Sequence, residues 1–249
     1  MVWRVWGEGP PLALLHGGYG SWTHWVRTIP AFMDRRTLYV PDLPGLGESD
    51  EVPEPASPDA IARVVSNGLH DLGVDRQSLD LVGFSFGGII AGCIATLGPL
   101  RSLTLVGAGA LGLPRGPTDL LREAPDMTPQ ERWAIHRTNL GILMLADPAS
   151  IDDAAIAMQA ANVARARVKS RRFAATTALA EALATAQPKA LHWIWGERDA
   201  VVGSHMASRE AYARANRPDA TFTVIPGAGH WVPYEAPNAF NAALGRVVG

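Results

Sequence analysis

The sequence predicts an α/β fold: a mostly parallel twisted sheet with helices on both faces and a helical lid inserted between two strands. Three observations predict it. Short apolar runs bounded by Gly or Pro alternate with segments of helical spacing, the pattern of strands and crossover helices in a parallel sheet. Glycine-dense loops follow several of these runs, at the strand ends where open α/β sheets hold their ligands. Residues 113–187, in contrast, are rich in Ala and contain no strand-like run. With 249 residues, 47% of them hydrophobic and 18% charged, the chain is long and apolar enough for one domain with a large core.

Residues 2–6 read as a short strand, and residues 12–15 as a buried one after the Gly9-Pro10-Pro11 break. The loop His16-Gly17-Gly18-Tyr19-Gly20-Ser21 follows, able to bring a bare backbone N–H close to a substrate oxygen, and leads into a helical stretch over 25–33. A strand at 37–40 ends in a turn from Pro41 to Ser49. Two prolines and the lack of a following Lys-Ser/Thr exclude a phosphate loop there, so Asp42 is expected to anchor the turn by accepting backbone N–H bonds. Ile61, Val64, Val65, Leu69 and Leu72 recur at helical spacing over 58–72, with Asp59 in the first turn. The strand at 79–82 then runs into Gly83-Phe84-Ser85-Phe86-Gly87 and a helix starting near Phe86.

After the strand at 103–106, residues 107–112 match Gly-x-Gly-x-x-Gly in form only. A dinucleotide fingerprint must open a helix, and Pro114 and Pro117 stop one from forming. Helical spacing over 129–145, 151–168 and 172–186 predicts an insertion too large for an ordinary connection. The expected organisation is a core of residues 1–112 and 188–249 with a helical cap of residues 113–187. Arg165, Arg167, Lys169, Arg171 and Arg172 cluster in that cap; the default is a solvated face, the alternative one Arg turned inward. Strands at 191–195 and 221–225, a helix within 201–216 and a closing helix over 237–248 complete the chain.

Ser85 sits between Gly83 and Gly87 in the pattern of a nucleophile elbow. A serine held in a left-handed backbone at a strand-to-helix turn needs neighbours without a Cβ. Serine is also a poor nucleophile at neutral pH; it needs a base within reach, and the base needs an acceptor to fix its tautomer. Asp199 and His230 supply those parts, each just past a predicted strand end.

On these residues the chain resembles the α/β-hydrolases. The resemblance extends over the His16-Gly17 loop, the Asp42-x-Pro44-Gly45-x-Gly47-x-Ser49 turn, the elbow, the Trp195-Gly196-x-x-Asp199 turn and the Gly229-His230 loop, nearly the whole chain outside the insertion. It implies Ser85 as nucleophile, His230 as general base and then acid, and Asp199 as the orienting acid. It also implies an oxyanion hole from the backbone N–H groups of Phe86 and Gly18, Gly18 ranking ahead of Tyr19, with His16 anchoring the loop. Dehalogenases and epoxide hydrolases of this fold carry Asp at the elbow, so a serine there points to acyl transfer to water.

The leading expectation is a carboxylesterase for a small, largely apolar ester, its pocket lined by Tyr19, Phe84, Phe86 and Trp231. The run 229–241 and the Asp147-Pro148 step in the insertion are also similar to carbon–carbon hydrolases of meta-cleavage products, which would require an inward Arg such as Arg171 or Arg172. That group usually has Gly-Pro-Gly where this chain has Gly18-Tyr19-Gly20, and Asn where it has Phe84. A third reading is a ligand receptor that keeps the fold and turns over little. The resemblance further implies that the short start before residue 12 omits one edge strand.

A net charge of −2, from 22 Lys plus Arg against 24 Asp plus Glu, gives no basic excess for nucleic acid. The expected partner is a small-molecule substrate, with no membrane, no cofactor and no metal; monomer and homo-oligomer both remain open. His24, His70, His136, His192 and His205 show no metal-ligand spacing and are assigned surface or satisfied roles. The one cysteine, Cys93, lies in an apolar run and cannot form an intramolecular disulfide, which with an N-terminus unlike a signal peptide suggests a cytoplasmic location.

Overall fold

The computed structural model describes residues 1–52 and 54–249. Seven strands form one sheet in the order β1-β3-β2-β4-β5-β6-β7: β1 (Trp3–Trp6), β2 (Pro11–Leu15), β3 (Thr37–Pro41), β4 (Asp80–Phe84), β5 (Ser102–Val106), β6 (Ala190–Gly196) and β7 (Thr221–Ile225). Only β1 runs antiparallel, pairing with β3 at one edge; the other pairs are parallel. The central strands β4 and β5 are buried along their whole length, as in a parallel sheet covered on both faces.

Alternate residues of the strands enter two separate cores, as the two-residue period of a strand requires. Ala13, Leu15 and Leu81 face one side; Leu12, Leu14 and Val82 face the other. A 3₁₀ turn (Trp22–Trp25) and the short α1 (Ile29–Phe32) stand where a single helix over 25–33 was expected. Next come α2 (Pro58–Asp71), capped by Ser57, which accepts from Ala60 N–H at 3.1 Å, and α3 (Phe86–Ala95), buried on every side. Ile61, Val65, Ile89 and Ile90 fill the first core from these two helices. Each Leu or Ile so enclosed stabilises the fold by about 1.5–3 kcal/mol.

Between β5 and β6 the chain forms α4 (Pro129–Leu143), α5 (Asp153–Ala164), α6 (Arg171–Ala174) and α7 (Ala178–Thr185). Thr128 and Glu131 make a reciprocal capping box at the start of α4. The single helix expected over 172–186 is broken into α6 and α7. Both pack on α3: Phe173 of α6 stacks on Phe86 at 5.9 Å, and Leu179 and Ala182 of α7 are buried in the first core, where a Cβ on Gly92 would lie 2.3 Å from Leu179 Cδ1. The last turns of the insertion thus belong to the layer on the sheet. After β6 come α8 (Met206–Asn216), then the short α9 (Val232–Glu235) and α10 (Pro237–Val248), whose Phe240 and Leu244 close the second core with Phe32. Among the described residues no helix is long and apolar enough to cross a membrane.

Candidate active site

Ser85 occupies the step between β4 and α3 with φ of 52° and ψ of −112°, a conformation that costs about 1–3 kcal/mol for a non-glycine residue. The flanking glycines make it attainable. A Cβ at Gly83 would lie 2.3 Å from the carbonyl oxygen of Gly87, and one at Gly87 would lie 2.3 Å from that of Leu15. Ser85 N–H donates to Val106 O at 2.8 Å, which ties the elbow to β5.

His230, beyond β7, places Nε2 3.0 Å from Ser85 Oγ, and its Nδ1 lies 2.7 Å from Asp199 Oδ2, beyond β6. The second Asp199 oxygen accepts from Val201 N–H at 2.9 Å. Both side chains are buried, so the imidazole has one rotamer and one tautomer to hold. Two further glycines make room for the pair: a Cβ on Gly196 would lie 2.0 Å from Gly229 O, and one on Gly107 would lie 3.1 Å from His230 Cε1. Gly107, with φ of 55°, is the first residue of the rejected dinucleotide match, and its use here is steric.

The loop after β2 is gripped at Gly17 by two buried histidines. His16 Nε2 accepts from Leu43 N–H at 2.9 Å, so its Nδ1 carries the proton and donates to Gly17 O at 2.7 Å. Gly17 N–H in turn donates to His24 Nδ1 at 3.1 Å. Because the peptide is planar and trans, fixing Gly17 C=O fixes the opposite direction of Gly18 N–H. Burial lowers the His16 pKa to about 4, with the Gly17 carbonyl and Asp42 opposing it, and drives that of His24 well below its ordinary value with the charges of His16 and His230 adding to the effect. Both rings are neutral at neutral pH. His24 is one residue that sequence reasoning missed, since nothing in its neighbours reveals a partner seven residues back.

Ser85 opens into a cavity of about 260 Å³. Gly18, Phe86, Tyr19, Phe84 and His230 line it. Trp231 does not: it is buried, stacks on Tyr234 at 4.2 Å and donates its indole N–H to His24 O at 3.0 Å. Its assignment to the pocket is corrected to packing behind the histidine clamp. Of the cationic cluster only Arg171 lines this cavity, its guanidinium 5.3 Å from the Tyr19 ring centroid. Arg167 donates to Ser49 O and Arg172 to Ala56 O at 3.3 Å, while Arg165 lies 4.0 Å from Glu48. Arg115, not singled out by the sequence, also lines the cavity. A wider groove of about 1290 Å³ leads outward between residues 118–123 and helices α4 and α5.

Asp42 accepts from Trp22 N–H at 2.9 Å and Glu48 N–H at 3.0 Å, the turn-anchoring role expected of it. Cys93 is a buried free thiol whose pKa is pushed up to about 12 by burial and the nearby Asp59. Among the described residues no three His, Cys, Asp or Glu side chains are grouped to hold a metal ion.

A sequence model of the alpha/beta hydrolase family matches residues 12–243. The 2-hydroxy-6-oxo-6-phenylhexa-2,4-dienoate hydrolase of Burkholderia cepacia is 28% identical over 94% of this chain and 86% of its own length. The soluble epoxide hydrolase of Corynebacterium sp. (strain C12) is 36% identical over 34% of this chain, a match that spans 29% of that protein. Among solved structures, the esterase RhEst1 from Rhodococcus sp. ECU1013 superposes with a TM-score of 0.77 at 24% identity, covering 99% of this chain and 93% of that one. That likeness is one of fold.

Proposed function

The chain belongs to the alpha/beta hydrolase family, and from that premise we propose that it is a serine hydrolase acting through an acyl-enzyme, with a small carboxylic ester as substrate. The observation that carries the reading is the chain of contacts from Ser85 Oγ through His230 to Asp199, at 3.0 and 2.7 Å. His230 Nε2 takes the Ser85 proton as Oγ attacks the ester carbonyl. Asp199 holds Nδ1–H and stabilises the imidazolium that forms. The negative charge on the tetrahedral oxygen is met by the N–H groups of Phe86 and Gly18, each worth about 10²–10³ in rate. His230 then returns the proton to the leaving alcohol, and a water activated by the same ring releases the acid. Within the insertion of residues 113–187, α4 and α5 act as the cap and bound the approach to Ser85.

A second reading, a carbon–carbon hydrolase of meta-cleavage products, is favoured by one specific observation: Arg171 lines the cavity beside Tyr19, where it can meet an anionic substrate group. Rapid-mixing kinetics separates the two. The ester reading predicts a burst of p-nitrophenol from p-nitrophenyl butyrate close to one equivalent per Ser85, with kcat/KM at least tenfold above that for a 2-hydroxy-6-oxodienoate. The reverse order of kcat/KM puts the carbon–carbon reading first, and turnover of neither contradicts both.

A further inference from the structure

Beside the Ser85 cavity lies a second one of about 180 Å³, bounded by the loop after β5, by residues 174–176 and by the start of α8. The two adjoin: Gly109, Arg115, Ala174 and Val201 line both. Nothing in the proposed triad chemistry uses the second cavity.

Its charge is one-sided. Arg209 and Arg115 line it, and no Asp or Glu does. Arg209 is only 5% exposed, yet among the described residues its guanidinium makes a single long hydrogen bond, Nη1 to His205 O at 3.4 Å. Its Nε has no partner among the described residues. A guanidinium offers five N–H donors in a fixed fork, so most of this one's capacity is unfilled. Buried cations are ordinarily paired, because desolvating the charge without an acceptor is costly. Neither Arg209 nor Arg115 forms an ion pair among the described residues. Asp199, the acid whose charge acts on Arg209, already uses one oxygen on His230 and the other on Val201 N–H. A second wall residue, Trp195, also carries an indole N–H without a partner.

A cavity with two guanidinium groups, no carboxylate and an under-used buried donor fork fits an oxyanion that accepts several hydrogen bonds. We propose that this cavity is a carboxylate-binding subsite built on Arg209 and Arg115, and that it favours acyl substrates carrying a carboxylate at the end remote from the ester. The substrate part of this inference rests on the serine hydrolase reading; the binding of a carboxylate does not.

Two measurements test it, on wild type, Arg115→Gln and Arg209→Lys. Arg115→Gln keeps the buried arginine in place should Arg209→Lys fail to fold. The first compares kcat/KM for the p-nitrophenyl monoester of adipic acid with that for p-nitrophenyl hexanoate, which has the same chain length and no carboxylate. The second follows the thermal midpoint as acetate replaces chloride at constant ionic strength. Expected are a wild-type preference for the adipate ester of tenfold or more, a loss of most of it in either variant, and an acetate-dependent rise in midpoint that the variants lack. A midpoint rise lost in the variants, with no ester preference, keeps the carboxylate site but assigns it to a free carboxylate and overturns the substrate assignment. No midpoint rise and no preference in wild type overturns the proposal. Failure to turn over either ester strikes the hydrolase reading, and the acetate measurement still decides the site.

Discussion

The proposed chemistry at Ser85 rests on three neighbours: a backbone that only its flanking glycines permit, a histidine 3.0 Å away, and an N–H at Gly18 whose direction is fixed from Gly17. The third is held directly by His16 on Gly17 C=O, and His24 braces the preceding His16–Gly17 peptide through Gly17 N–H. Replacing His24 by Ala leaves the buried Gly17 N–H without an acceptor, at a cost of about 1–3 kcal/mol in stability. It also loosens the His16–Gly17 peptide, and with it the loop that carries Gly18. Because the oxyanion exists only in the transition state, kcat is expected to fall at least tenfold while KM stays within about twofold. Steady-state kinetics on a nitrophenyl ester checks this; a rise in KM at constant kcat would contradict a role at the oxyanion. Ser85, Asp199 and His230, which the fold brings together, are legible in the sequence because each stands in a glycine-marked turn after an apolar run. His24 and Arg115 are not, since their roles arise from where two loops fold back, and Trp231 misleads because its place beside His230 in sequence sends its side chain to the opposite side.

At the level of elements, the insertion divides between two tasks. Alternation and helical spacing made β2, β4, β5, α2 and α4 readable, because burial on both faces or on one stripe writes itself into residue order. The break between α6 and α7 was hidden, because residues 172–186 keep their apolar spacing across it, so that Phe173 and Leu179 both reach α3 although the helix is interrupted between them. Leu179 is fully buried in that docking, opposite Gly92. Leu179→Ala is therefore expected to lower the unfolding free energy by about 2–5 kcal/mol, as for other buried leucines. A loss below about 1 kcal/mol in urea titration would mean that α7 moves with the cap and not with the sheet.

For the whole molecule, the buried histidines make stability depend on pH. Burial lowers the pKa values of His16, His24, His136 and His192 from 6.5 in the fold, His16 to about 4. The unfolded chain binds these protons near pH 6.5, so it gains protons first as pH falls. Their contribution is fully present above pH 6.5 and is lost progressively as pH falls below it, for His16 down to about 4. For His16 alone the window corresponds to about 3 kcal/mol. Urea midpoints at pH 7.5, 6.0 and 5.0 should decline in that order, and an unchanged midpoint would contradict neutral, enclosed imidazoles.

The claim on which the functional account rests is that His230 and Asp199 activate Ser85. Intact mass after exposure to a fluorophosphonate, with Ser85→Ala treated in parallel, tests it most directly. The account predicts one adduct on the wild-type protein and none on the variant. A folded wild type that takes no adduct, or a variant that still takes one, would contradict it.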